Sequence, residues 1–287
     1  MPPLLAYGLL IGLLAGGCVG RLSGEDATPS LSEAAAPPAP AVSAEAVSPG
    51  LPPAVGRPPW LGTRVLPRRS DGFGEVRPTP PELRDRRLPS PDLLPAPQGD
   101  GFVAEVRAVP EEVVRRSTWS PRCPVALEDL RYVTLVFWGF DERPHTGELL
   151  VNASVAEDVV AVFRRLYEAR FPIEEMRVVS AGELVAPPTG DGNNTTSYVC
   201  RAITGGASWS EHAYGLAVDI NPFHNPYVKG DLVIPELASA YTNRGWRRPG
   251  MIFAGDEATR SFGEIGWAWG GDWRRPKDWM HFSRQGR

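Results

Sequence analysis

Seventeen of the chain's 31 prolines fall between Arg21 and Asp100, in a stretch heavy in Ala, Ser and Gly and poor in aromatic residues. Proline fixes φ and removes a backbone donor, so it is poorly tolerated in helix interiors and central strands. A segment of this composition buries too little apolar surface to offset its backbone entropy. Residues 21–100 are therefore expected to form a disordered or extended linker, which leaves residues 101–287 as the globular domain. A domain of about 180 residues buries roughly 70% of its unfolded surface and is stable unaided.

Within that domain the strand and helix signals alternate irregularly. "LRYVTLVFWGF" from Leu130 is β-branched and aromatic and reads as a buried strand, with "HTGELLVN" from His145 as its hairpin partner. "SVAEDVVAVFRRLYEARF" is the strongest helix, with a capping box expected at Ser154 and Glu157. Val155, Val159, Val162, Phe163, Leu166 and Tyr167 form its apolar stripe, and Phe171-Pro172 ends it. "MRVVSAGEL" and "GLAVDI" are further strand candidates, while residues 222–272 hold many Gly, Pro and Trp residues and read as loops and short helices around a site. Hairpin links without repeated βαβ units predict an α+β fold, a small antiparallel sheet with flanking helices. "DGFGEVRPTPPEL" from Asp71 echoes "DGFVAEVRAVPEEV" from Asp100, too little for a repeat architecture.

The first 20 residues are apolar for about 14 positions from Leu4, which suits the h-region of a secretory signal better than a membrane span. Small residues at Ala15, Gly16 and Gly17 precede Cys18 as in a bacterial lipoprotein signal, although no Lys or Arg lies before the apolar run. The chain is thus expected outside the cytoplasm, secreted or at a bacterial cell surface, with Cys18 as a lipidation candidate. Setting Cys18 aside leaves Cys123 and Cys200, an even pair. They are either a disulfide or two buried thiols, and an oxidising compartment favours the former. A net charge of −4 without a basic run lacks the electrostatic footprint of a nucleic-acid binder.

The chemistry concentrates in two segments, "SWSEHAYGLAVDINPFHNP" from Ser208 and "DWMHFS" from Asp278. A catalytic zinc takes three protein ligands from His, Asp or Glu and keeps a fourth position open. His212, Asp219 and His281 supply that set. Asp219 lies in an apolar run, and a buried lone carboxylate is costly unless a cation faces it. Gly215 permits a tight turn between His212 and the strand that follows. Asp278, three residues before His281, is placed to move protons at such a centre, with Asp272 the next candidate. His224 reads as a polar loop residue and His145 as a hairpin residue without chemistry. Trp267, Trp269, Trp273 and Trp279 divide between core and cleft wall, Trp279 being taken as a substrate contact. Ser208 and Ser210 lie in neither S-x-x-K nor G-x-S-x-G, which removes the serine-hydrolase reading.

These motifs resemble a known family. "SxHxxGxAxD", followed by an acid three residues before a His and then Phe, is similar to the zinc D-Ala-D-Ala carboxypeptidases and the related L-Ala-D-Glu endopeptidases. "CPVALEDLRYVTLVFWGF", "NNTTSYVCR", "GWAWGGDW" and "DWMHFS" resemble the endolysin and cell-wall hydrolase branch. The resemblance implies the zinc DD-peptidase/hedgehog-like fold and one zinc ion on His212, Asp219 and His281. It also implies a substrate-side role for Ser210, Asp278 as the base, and Arg201 near the scissile carbonyl. Better-studied members carry Glu at the base position, whereas this branch often carries Asp. Arg201 has a structural ion-pair role as its alternative. The implied function is hydrolysis of a peptide bond in peptidoglycan stem peptides by a monomer. The alternative is a catalytically silent zinc domain that binds wall peptide or a partner protein.

Overall fold

The computed structural model describes residues 56–204 and 206–286. The signal segment, Cys18 and the linker before residue 56 lie outside the described residues. The elements run β1 (Ala104–Arg107), α1 (Glu111–Arg116), β2 (Leu130–Trp138), β3 (Pro144–Asn152) and α2 (Ala156–Glu168). They continue as β4 (Glu175–Met176), β5 (Asn194–Thr195), β6 (Ala217–Asp219), β7 (Tyr227–Lys229) and β8 (Leu232–Ile234). The last are α3 (Glu257–Glu264), β9 (Ala268–Trp269), β10 (Lys277–Asp278) and β11 (His281–Ser283).

The fold is α+β. Three small antiparallel sheets have the orders β1-β2-β3, β10-β7-β8 and β6-β11-β9, and β4 and β5 form a short parallel pair. The β2–β3 hairpin appears where alternation and β-branching place it, paired from Leu130↔Asn152 to Trp138↔Pro144. Helix α2 lays Val159, Val162, Phe163 and Leu166 on this sheet, all nearly inaccessible. That i, i+3, i+4, i+7 spacing sets one helix face against the core. Phe262 of α3 stacks on Phe282 of β11 with ring centroids 4.1 Å apart, so the same core supports the β6-β11-β9 sheet.

Two local expectations differ from the structure. The cap before α2 is Asn152, whose side chain accepts hydrogen bonds from Ser154 N–H and Ser154 Oγ–H at 3.0 and 2.8 Å. A 3-10 turn over Ala153–Val155 then leads into α2, so Ser154 is inside the turn and cannot cap it. The "MRVVSAGEL" strand stops after Met176 because Ser180 and Glu183 form a capping box on the turn Ala181–Leu184. Serine side chains offer the backbone such local alternatives to a strand ladder.

The larger correction concerns the linker. Residues from 57 onward form part of the folded unit instead of standing apart from it. Leu66, Leu83 and Leu88 are buried against Phe223, Leu237 and Tyr241. Arg86 is buried with Glu174 at 2.7 and 2.8 Å, and its backbone N–H donates to the Tyr241 hydroxyl. Burial would raise the Glu174 carboxyl, but the Arg86 guanidinium outweighs it and holds the group below the usual carboxylate range. These leucines follow no helical or strand period; each is an isolated anchor in a cluster otherwise supplied by residues far along the chain. Prolines between such anchors limit the conformations lost on docking. Cys123 and Cys200 form a disulfide with Cα atoms 5.9 Å apart, joining the segment before β2 to the loop that precedes His212.

Candidate metal centre and cleft

Strands β6 and β11 pair antiparallel in a register that sets His281 directly opposite Asp219. Directly opposed residues share a sheet face, so both side chains emerge on one side. His212 arrives from the 3-10 turn Glu211–Tyr214, where Ser210 Oγ accepts its backbone N–H at 3.4 Å. Gly215 ends that turn at φ +68°, and a Cβ there would lie 2.6 Å from Asn152 N. Only glycine satisfies both the left-handed backbone and that approach.

The three side chains converge. His212 Nε2 lies 3.2 Å from His281 Nδ1 and 3.1 Å from Asp219 Oδ2, and His281 Nδ1 lies 3.0 Å from Asp219 Oδ1. One ligand atom from each residue falls within 4.8 Å of the others. His212 Nδ1–H donates to the Ser197 carbonyl at 2.6 Å, which leaves a lone pair on Nε2. That lone pair faces a carboxylate oxygen and a second ring nitrogen, an arrangement that needs a proton or a cation between them. Burial would raise the Asp219 carboxyl, but His212 and His281 hold it well below the usual carboxylate range. His281 Nε2 is buried without a hydrogen-bond partner. A carboxylate and two imidazoles suit zinc or a similar first-row ion. The residues fit a bound metal.

Asp278 sits on β10, in a different sheet, with its Oδ1 buried and without a partner. Burial pushes its carboxyl up to about 7; His281 and Arg201 oppose that shift and Asp219 adds to it. Gly270 makes room for this strand, since a Cβ there would lie 2.5 Å from Asp278 O. Asp272 is exposed and does not line the cleft.

A cleft of about 680 Å³ opens over the centre, lined by Arg201, Ser210, His212, Asp278 and His281 together with Trp209, Tyr227 and Trp273. Trp279 is not in this lining. It packs beside the main core, 4.8 Å from the Arg244 guanidinium, with its carbonyl accepting from Trp269 Nε1–H. Trp267 and Trp269 are core residues. Sequence reasoning missed Trp209, Tyr227, Lys229 and Arg275 as cleft residues; short strands inside a Gly/Pro-rich stretch leave no period to detect.

The other histidines lie elsewhere. His224 is buried, stacked on Phe140 at 4.9 Å, and Nε2–H donates to the Arg86 carbonyl. Burial lowers its pKa to about 4. His145 is more than a hairpin residue, since its ring bridges Asp92 and Asp141 at 2.7 and 2.9 Å.

An α+β domain with a metal-competent His-Asp-His cluster beside a buried acid has the makings of a metallohydrolase. Residues 204–284, which carry all four of these side chains, match the family model described as D-alanyl-D-alanine carboxypeptidase. That description agrees with the family that the motifs of this segment resemble. No curated protein and no solved structure matches the chain.

Proposed function

We propose that this protein is an exported zinc peptidase that hydrolyses a peptide bond in peptidoglycan stem peptides. The observation that carries the reading is the convergence of His212 Nε2, His281 Nδ1 and Asp219 at 3.0–3.2 Å beside the partnerless Asp278 carboxyl. His212, Asp219 and His281 would hold the ion. When bound, zinc supplies a Lewis acid and makes a water molecule acidic enough to deprotonate near neutral pH. Asp278 accepts a proton from the attacking water and returns one to the leaving amine. Arg201 donates hydrogen bonds to the oxygen that gains charge as the carbonyl is attacked. Ser210 keeps the His212 turn in place at the cleft wall.

Export is supported by the apolar N-terminus with its small residues before Cys18, and by the Cys123–Cys200 disulfide. Among the described residues no helix is long and apolar enough to cross a membrane. Attachment through a lipid on Cys18 would tether the domain to the membrane, and Cys18→Ser should then shift the protein from the membrane fraction to a soluble exported form.

The direct test is metal analysis of the full chain combined with a stem-peptide cleavage assay. Stoichiometric zinc and cleavage are expected. Zinc without cleavage of any wall peptide would favour a binding domain over an enzyme, and no zinc would remove the reading.

A further inference from the structure

Asp278 stands on a sheet too small to hold itself. β10 and β7 share only two paired positions, Lys277↔Val228 and Asp278↔Tyr227, and β7 and β8 share three. Strand pairs of this size are marginal in water and need other elements against their faces. Opposed residues share a face, and neighbours along a strand alternate. Tyr227, Leu232 and Ile234 therefore lie on the face that bears Asp278, and Val228 and Val233 lie on the other.

Both faces are covered by the segment that precedes β1. Leu66, Leu83 and Leu88 gather with Val233 behind the sheet. Phe73 packs against the cluster of Tyr227, Leu232 and Met280 on the Asp278 face. Tyr227 lines the cleft, and Met280 precedes the ligand His281, so this one ring supports both sides of the site. A short hairpin presents it. Arg68 bridges Gly74, and Arg69 N–H donates to the Phe73 carbonyl at 2.7 Å. The hairpin is fastened on either side of β8. Arg69 Nη1 lies 3.1 Å from Asp231 Oδ2, and Gly74 N–H donates to Glu236 Oε1 at 2.7 Å. A Cβ at Gly74 would lie 2.8 Å from that oxygen and 3.1 Å from Pro188 Cβ, so the seat admits only glycine without a shift.

We propose that the hairpin of residues 67–75 is a positioning element of the site, with Phe73 holding the Asp278 wall against the metal centre. The hairpin lies outside the cleft lining and outside residues 204–284 that match the family model. Its kinetic consequence rests on the peptidase reading; its hold on the sheet does not. A base must stay within hydrogen-bond reach of the proton it moves. A misplacement of about 1 Å costs on the order of 100-fold in rate. The metal ligands His212, Asp219 and His281 belong to other elements, so a loosened wall leaves the ion in place.

The test uses the full chain loaded with zinc. Phe73→Ala should lower kcat on a wall stem peptide by on the order of tenfold, with KM and zinc stoichiometry unchanged. Phe73→Leu, which refills the apolar contact, should restore most of the loss. Gly74→Ala, which pushes the hairpin off Glu236 and leaves the ring intact, should lower kcat in the same way. Hydrogen exchange on the same samples reads the mechanical link. Amides of β7, β8 and β10 should exchange faster in Phe73→Ala, and those of β6 and β11 at the wild-type rate. Wild-type kcat in either Phe73→Ala or Gly74→Ala would overturn the proposal. So would equally faster exchange in every strand, the mark of a general loss of stability. If the wild type cleaves no wall peptide, the peptidase reading fails and exchange alone decides. Faster exchange confined to β7, β8 and β10 then keeps the hairpin's hold on this wall, and unchanged exchange removes it.

Discussion

Two histidine–carboxylate clusters in this molecule, each built on a buried imidazole, use the same residue types and reach opposite ends. At Asp92–His145–Asp141, one imidazole lies between two carboxylates and both ring nitrogens are engaged, at 2.7 and 2.9 Å. At His212–Asp219–His281, one carboxylate lies between two imidazoles, and His281 Nε2 is left without a partner. The first cluster is closed, and its hydrogen bonds tie the stretch around Asp92 to the β2–β3 hairpin. The second presents lone pairs toward a common point, under a cleft, with a further partnerless carboxyl at Asp278. Buried polar groups are normally satisfied. Several unsatisfied ones gathered in one place therefore distinguish a site from a brace better than the residue types do.

The sharpest way to break this comparison is to delete one imidazole from each cluster. His212→Ala or His281→Ala should abolish stoichiometric zinc and all peptidase activity, while His145→Ala should keep full zinc and lose only stability, by about 1–3 kcal/mol. Full zinc occupancy in His281→Ala would sink the ligand assignment. Asp278→Asn separates the metal from the acid. It should retain zinc and fold and lose at least about 100-fold in kcat, the lower range of general acid–base catalysis, with Asp278→Glu recovering part of the loss. Wild-type turnover by Asp278→Asn would move the base elsewhere.

A third change tests whether closed polar networks serve the fold alone. Glu174→Gln leaves Arg86 charged and buried, and denaturant unfolding should show a loss of about 3–5 kcal/mol with zinc stoichiometry intact. The last expected effect concerns His224. Burial lowers its pKa from the ordinary 6.5 to about 4. As pH falls through 6.5 the unfolded chain takes up a proton that the folded protein refuses until about pH 4. Its contribution is thus intact above about pH 6.5 and is lost between there and pH 4, about 3 kcal/mol in all. His224→Gln should flatten the stability profile across that window. An unchanged slope would show that other groups carry it.

The site was largely legible because its residues sit in short local motifs. Ser210, His212, Gly215 and Asp219 belong to one turn and strand, and Asp278 and His281 to one short motif, whose joint role the family resemblance implied. The β2–β3 hairpin and the stripe of α2 were legible for the same reason, since periodicity is a local property. The cap before α2 was misplaced by two residues, because whether Asn152 or Ser154 caps depends on where the β3 ladder ends. Trp279 was misassigned because residue type does not record whether a tryptophan meets the cleft or the core.

What the sequence by itself offered, then, was the α+β class and a set of candidates: the cysteines Cys123 and Cys200, the ligands His212, Asp219 and His281, and the acid Asp278. Each was picked out by composition or by a short local motif, not by its contacts. Only the tertiary structure decided that residues 57–99 join the fold, through Leu83, Leu88 and the Arg86–Glu174 pair. It also decided that Tyr227, Lys229 and Arg275 wall the cleft, and that His145 closes a brace. Those outcomes rest on contacts between residues tens to more than a hundred positions apart, where the free energy comes from burial and from satisfied partners. No local pattern records a partner that distant.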